Sequence, residues 1–167
     1  MNGLSQAGER QKCNLAVEVL RSFGQVQLRV AGTSMLPTLW PGDLLTIEPT
    51  PIESILPGDL VVYARQHQFV VHRVVKGAIA QTQTLVTRGD AVPHTDSAIT
   101  SEQFLGRVTR IHRNGRQVVP ARRVAHVRRL SGRALFHFDR LRSLAMHCYR
   151  WWSANVQAAP SETIGQR

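Results

Sequence analysis

The chain has 167 residues, 43% of them apolar, which fits one packed domain of about 100–150 residues with a tail. No run approaches the ~20 apolar residues of a spanning helix, and Met1–Arg10 lacks the apolar stretch of a secretory signal, so the expected location is cytoplasmic or peripheral at the inner membrane. The net charge of +10 is uneven: residues 1–120 carry twelve Lys/Arg against nine Asp/Glu, and residues 121–167 carry nine Arg against Asp139 and Glu162, so a partner for the basic excess belongs to the C-terminal segment.

Taken in order, Leu15, Val19 and Phe23, with Ala16 and Leu20 beside them, recur at helical spacing and predict a short N-terminal helix capped by Gly24. Val26–Val30 alternates apolar and polar residues, as a strand with one wet face does, and runs into Gly32-Thr33-Ser34-Met35-Leu36-Pro37-Thr38-Leu39. Gly32 admits backbone angles that other residues avoid, and Pro37 fixes its own φ and turns Leu36 away from the α region. The Ser34 hydroxyl is therefore expected at a bend between two strands.

An internal echo follows. Leu39-Trp40-Pro41-Gly42-Asp43-Leu44-Leu45-Thr46-Ile47 is matched sixteen residues later by Ile55-Leu56-Pro57-Gly58-Asp59-Leu60-Val61-Val62-Tyr63. Each Pro-Gly-Asp reads as a tight turn that launches a strand, with Asp43 and Asp59 as turn residues. The β-branched run Gln68–Val75 predicts a strand closed by Gly77, in which His72 shares a face with Val70 and Val74 while Arg73 faces the other side. Thr82–Thr87 predicts another strand, followed by Arg88-Gly89-Asp90 and a polar loop through His94, Thr95 and Asp96. Two last strands, Phe104–His112 and Gln117–Val119, flank Asn114-Gly115, a type I′ hairpin signal.

The predicted organisation is thus an N-terminal helical segment over 1–25, a β-rich domain over 26–119 and a basic helix with tail over 120–167. The fold class is mainly β, a small antiparallel sheet curled toward a partial barrel and flanked by the two helices. In the last segment Val127, Ala134, Phe138, Leu141, Ala145, Cys148 and Trp152 recur at helical spacing among many arginines. Over 121–155 this is a basic amphipathic helix, suited either to an anionic membrane interface or to packing on the β-domain with a solvated arginine face. No recognition module for nucleic acid surrounds it. Cys13 and Cys148 show no metal-ligand spacing, so neither a metal nor a cofactor is expected; reduced thiols are the default, with a disulfide between the terminal segments as the alternative.

The elements Gly-Thr-Ser-Met-x-Pro-Thr-Leu, Pro-Gly-Asp, Gly-Asp-Leu-Val-Val-Tyr, Val-Val-His-Arg-Val-Val and Arg-Gly-Asp, with a second Asp six residues on, form an ordered series over residues 26–112. That series resembles the type I signal peptidases, in the branch of archaea, spore-forming bacteria and the endoplasmic reticulum where histidine replaces the catalytic lysine. Their fold, shared with LexA-type peptidases, is the one expected here. The resemblance implies Ser34 as nucleophile, His72 as general base, and Asp90 and Asp96 as an acidic pair, one of which orients the imidazole. The chemistry is coherent by itself: a serine hydroxyl needs an adjacent base, and free imidazole, which ionises near ~6.5, can take its proton and return it to a leaving amine. The Ser34 backbone N–H is the expected oxyanion donor; some relatives add a hydroxyl two residues earlier, where this chain has Gly32.

The resemblance further implies cleavage of a precursor or signal peptide after small residues of the Ala-x-Ala type, with the substrate extended along the sheet edge. Thr33, Met35 and Leu36 are candidate substrate contacts. The relatives' transmembrane anchors have no counterpart in these residues. Lys76, on the His72 face, is a rival base of the Ser–Lys kind, although a self-cleaving repressor would place its lysine elsewhere and carry a helix-turn-helix. The competing class is a non-catalytic module that binds peptide or an anionic membrane through the arginine-rich helix.

Overall fold

A computed structural model of the chain describes residues 11, 15–20, 22–66, 68–79, 83–122, 143 and 147. Residues 15–20 and 22–23 are helical, and the Gly24 N–H closes the end on Leu20 O at 3.0 Å with Gly24 at φ +67°. The face it buries differs from the one predicted. Ala16 and Leu20 point inward, whereas Leu15 and Phe23 are 60% and 76% exposed. Apolar residues fill two adjacent stripes here, and the spacing alone does not say which one meets the sheet.

Among the described residues eight strands follow: β1 (Val26–Arg29), β2 (Leu44–Glu48), β3 (Leu60–Arg65), β4 (Gln68–Ile79), β5 (Thr84–Arg88), β6 (Ile99–Thr100), β7 (Phe104–Arg113) and β8 (Arg116–Val118). They pair antiparallel in one sheet of order β1-β2-β7-β3-β4-β5-β6, with β8 on β7. The path is open, ending on β1 at one side and β6 at the other, so the expected curl does not reach a barrel. Irregularities at Thr46/Ile47 and Val62/Tyr63 bend the ladder without closing it. Gly77 does not end its strand either: β4 continues to Ile79, and register shifts after Val74 and Lys76 accommodate the glycine. The Asn114-Gly115 hairpin has both residues at positive φ, 49° and 75°, between β7 and β8.

The core lies on both sides of this sheet. Leu60 and Val62 join Met35, Leu39, Leu45, Ile47 and Ile111 in one cluster, while Val61 and Tyr63 join Ile55, Val74, Leu85 and Ile99 in the other. β3 is thus covered on both faces, which is why it reads as the unbroken apolar run Leu-Val-Val-Tyr rather than an alternation.

The two Pro-Gly-Asp corners are one motif built twice. Asp43 N–H bonds Trp40 O and Asp59 N–H bonds Leu56 O, at 3.0 and 3.1 Å, with Gly42 and Gly58 at φ +98° and +99°. Only glycine holds that turn position without strain. Each carboxylate then accepts the backbone N–H three residues upstream, Trp40 for Asp43 and Leu56 for Asp59. Each corner also exchanges two backbone bonds with one outside residue, Val30 for the first and Val74 for the second. Arg113 clasps Asp43, and Arg122 bonds Asp59.

Past β8 the chain continues as non-helical Pro120, Ala121 and Arg122. Apart from the helical positions Ser143 and His147, the rest of the predicted helix over 121–155 lies outside the described residues, as do Cys13 and Cys148. Among the described residues no helix is long and apolar enough to cross a membrane.

Candidate active site

Between β1 and β2 the chain makes a compact turn. Leu36 N–H bonds Thr33 O, and the N–H groups of Thr38 and Leu39 both bond Met35 O, at 3.2, 2.9 and 3.0 Å. Met35, Leu36 and Leu39 are each at most 1% exposed, so apolar burial fixes the turn from below. Ser34, just before them, is left partly open, as expected of a residue at a bend.

His72 sits mid-strand in β4, opposite Val61 of β3 and 8% exposed. Its Nε2 lies 3.0 Å from Ser34 Oγ. Its Nδ1 lies 2.6 Å from Asp96 Oδ2, in the loop between β5 and β6. A carboxylate can only accept, so Nδ1 carries the proton and the neutral ring offers the Nε2 lone pair to the serine hydroxyl.

Asp96 is itself held at two points by one residue. Its backbone N–H bonds Thr87 O at 2.8 Å, and the Thr87 hydroxyl donates to Oδ2 at 2.7 Å. Burial pushes the Asp96 carboxyl up, but the hydrogen bonds from His72 and Thr87, with the electrostatic pull of His72, outweigh it and hold the group below its ordinary value. Tyr63, fully buried, places its hydroxyl 3.4 Å from Nδ1; burial pushes its pKa up and keeps the phenol protonated. Arg65 stacks over the Tyr63 ring at 5.5 Å and approaches Asp96 Oδ1 at 3.8 Å.

Asp90 stands elsewhere. Arg73 Nε and Nη2 donate to its two oxygens at 2.9 and 2.8 Å, and Thr38 Oγ1 donates to Oδ2 at 2.6 Å. Both members of the Arg73–Asp90 pair have side chains only 5% exposed. Because His72 and Arg73 are neighbours on a strand, they face opposite sides of the sheet, and a carboxylate seated on one cannot serve the other. Of the two aspartates named in advance, the imidazole therefore meets Asp96, and Asp90 ties the serine turn to β4. The loop carrying Asp90 also packs beneath the serine: Ala91 N–H bonds Ser34 O at 2.9 Å, and a Cβ on Gly89 would lie 2.6 Å from that oxygen and 3.1 Å from His72 Nε2. Only glycine fits there.

An apolar groove of about 220 Å³ opens beside Ser34, lined by Leu28, Val30, Gly32, Met35, Phe69 and Val71 among others. Its wall includes β1, whose edge away from β2 pairs with no other strand among the described residues. Of the three candidate substrate contacts Met35 lines the groove, whereas Leu36, 1% exposed, is turned inside by the tight turn, and Thr33 caps that turn through its carbonyl. Lys76 is exposed on β4, and the serine hydroxyl meets His72 instead. Among the described residues no group of three or more His, Cys, Asp or Glu is placed to hold a metal.

Thr87, Tyr63 and Thr38 escaped the sequence reading. A signal existed for the first two: on β5 and β3 they alternate in phase with the buried Leu85 and Val61, and a polar side chain on a buried face needs a partner. Thr38, in an irregular turn, carried no such periodic mark.

A family model described as Peptidase S24-like matches residues 4–109, a span that holds Ser34, His72, Asp90 and Asp96 and ends within β7. No curated protein matches the chain.

Proposed function

The chain belongs to the Peptidase S24-like family, and from that premise we propose that it is a serine endopeptidase of the signal-peptidase kind, with Ser34 as nucleophile and His72 as general base. The observation that carries this reading is the Ser34–His72–Asp96 relay, with contacts of 3.0 and 2.6 Å. His72 Nε2 takes the hydroxyl proton as Ser34 Oγ attacks the scissile carbonyl. Asp96 holds the imidazolium that forms and keeps the ring in the required tautomer. The tetrahedral oxyanion is met by the Ser34 backbone N–H. The imidazolium then gives its proton to the leaving amine, and the same base activates the water that hydrolyses the acyl-enzyme.

The substrate is a precursor or signal peptide, bound extended along the β1 edge with small side chains in the apolar groove. The groove's modest volume and the shortage of polar groups in its lining support small, uncharged residues before the cut. The arginine-rich segment over 121–155 would hold the enzyme peripherally at an anionic membrane surface, where such precursors emerge.

The test is cleavage of an Ala-x-Ala reporter precursor in detergent by wild type, Ser34→Ala, His72→Ala and Lys76→Ala proteins. The first two substitutions should lower kcat by about 10⁴-fold or more, while Lys76→Ala leaves it near wild type. Activity that depends on Lys76 would overturn the assignment. No cleavage of any precursor captured by Ser34→Ala would favour the non-catalytic, peptide-binding reading.

A further inference from the structure

The chain that leaves the sheet runs back to the Arg73 guanidinium. After Pro120, Ala121 and Arg122 lie against the second Pro-Gly-Asp corner, so close that a Cβ on Gly58 would fall 2.5 Å from Arg122 O. Arg122 Nε donates to Asp59 Oδ1 at 2.8 Å. From the other side Arg73 Nη1 donates to Gly58 O at 2.8 Å and Ala121 O at 2.7 Å, with Arg122 O at 3.5 Å. This is the same guanidinium that grips Asp90 through Nε and Nη2. Asp90 in turn lies between Gly89 and Ala91, the residues packed against the Ser34 carbonyl.

A guanidinium is planar, with its donors in a fixed fork, so it can keep both bonds to Asp90 in one orientation only. The carbonyls of Gly58 and Ala121, on the opposite edge, select that orientation. We propose that the Ala121–Arg122 strap is a positioning element of the active site: it fixes the Arg73 guanidinium, and through Asp90 the loop that supports Ser34. Arg122 is then a positioning residue, and the catalytic unit extends past residue 109, where the family match ends, to the root of the basic C-terminal segment. The proposal deepens the peptidase reading and rests on it for its catalytic consequence.

The variants Arg122→Lys, Arg122→Ala and Arg122→Glu in the full chain test it. The Arg122 side chain is 55% exposed and pairs with Asp59, so its replacement acts through the strap rather than on the core. Hydrogen exchange of the Ala91 amide should be near wild type for Lys, several-fold faster for Ala and about tenfold faster for Glu, whose charge opposes Asp59, with β2 amides unchanged. The rate of Ser34 labelling by a fluorophosphonate should fall in the same order and by similar factors. Wild-type Ala91 exchange in the Glu variant would overturn the proposal, and so would equal loss of β2 protection in all three, since the strap would then hold the fold as a whole. If wild type is not labelled at all, the peptidase reading fails, while Ala91 exchange still decides whether the strap supports the loop.

Discussion

Asp90 and Asp96 belong to one loop, yet they serve two regions with opposite construction. The Asp96 region is a chain of single hydrogen bonds, Ser34 to His72 to Asp96 to Thr87, opening on the groove. The Asp90 region is a closed knot: both carboxylate oxygens are engaged by Arg73, a third bond comes from Thr38, and Nη1 of the guanidinium donates to two backbone carbonyls. In the first, one bond, from Ser34 Oγ to His72 Nε2, is placed for a proton to cross, and the rest orient the ring. In the second every group is fixed by several partners and nothing is left to react. The difference teaches that acidity near a nucleophile is no guide to role; the number and rigidity of a carboxylate's partners are.

Substitution to asparagine separates the two most sharply. Asp96→Asn should lower kcat by about 10³–10⁴-fold, because the amide no longer fixes the working tautomer, while costing only about 1–2 kcal/mol in urea unfolding. Asp90→Asn leaves the Arg73 charge buried without its counter-ion and should cost about 3–5 kcal/mol of stability, with activity lost along with the fold. If Asp90→Asn kept full stability and lost only kcat, the division of labour would be wrong.

A smaller effect comes from Thr87→Val, which removes one bond to Asp96 at nearly constant shape and should lower kcat by about tenfold. The carboxyl of Asp96 is held below its ordinary value in the fold, so its ionisation stabilises the protein fully above the unfolded value and that contribution is lost as pH falls through the folded one. Without Thr87 the folded value rises. The acid-side fall in melting temperature should therefore be smaller, and complete at a higher pH, in Thr87→Val than in wild type; coincident curves would mean that the threonine does not bear on the carboxylate.

Smallest of all is the exposed pair of Arg110 and Glu48, whose side chains are 43% and 38% exposed. Screening by solvent leaves Glu48→Gln within about 0.5–1 kcal/mol of wild type, with kcat unchanged. A larger loss would show that ion pairs outside the two loop regions also govern the fold.

Much of this was legible in the residues. β-branched alternation marked the strands, Pro-Gly-Asp marked both corners, and the order serine, histidine, aspartate marked the relay. The aspartate's identity was not legible, because a polar loop has no period from which to read where its side chains arrive. The strand did hold half the answer, since neighbouring His72 and Arg73 must face apart. The N-terminal helix face was misread for a related reason: Ala16–Leu20 and Leu15–Val19–Phe23 are equally periodic, and only the sheet decides between them. The membership in the S24-like family is coarser than the resemblance to signal peptidases that the motif series carries, and the choice of substrate rests on that series and the groove.

β3 gives alternate residues to the clusters on the two faces of the sheet, so neither cluster has a wall of its own. Loss of either one exposes the back of the strand that the other needs. The two halves of the interior are thus one cooperative unit, and the relay, with His72 paired to Val61 of that strand, persists or melts with the whole.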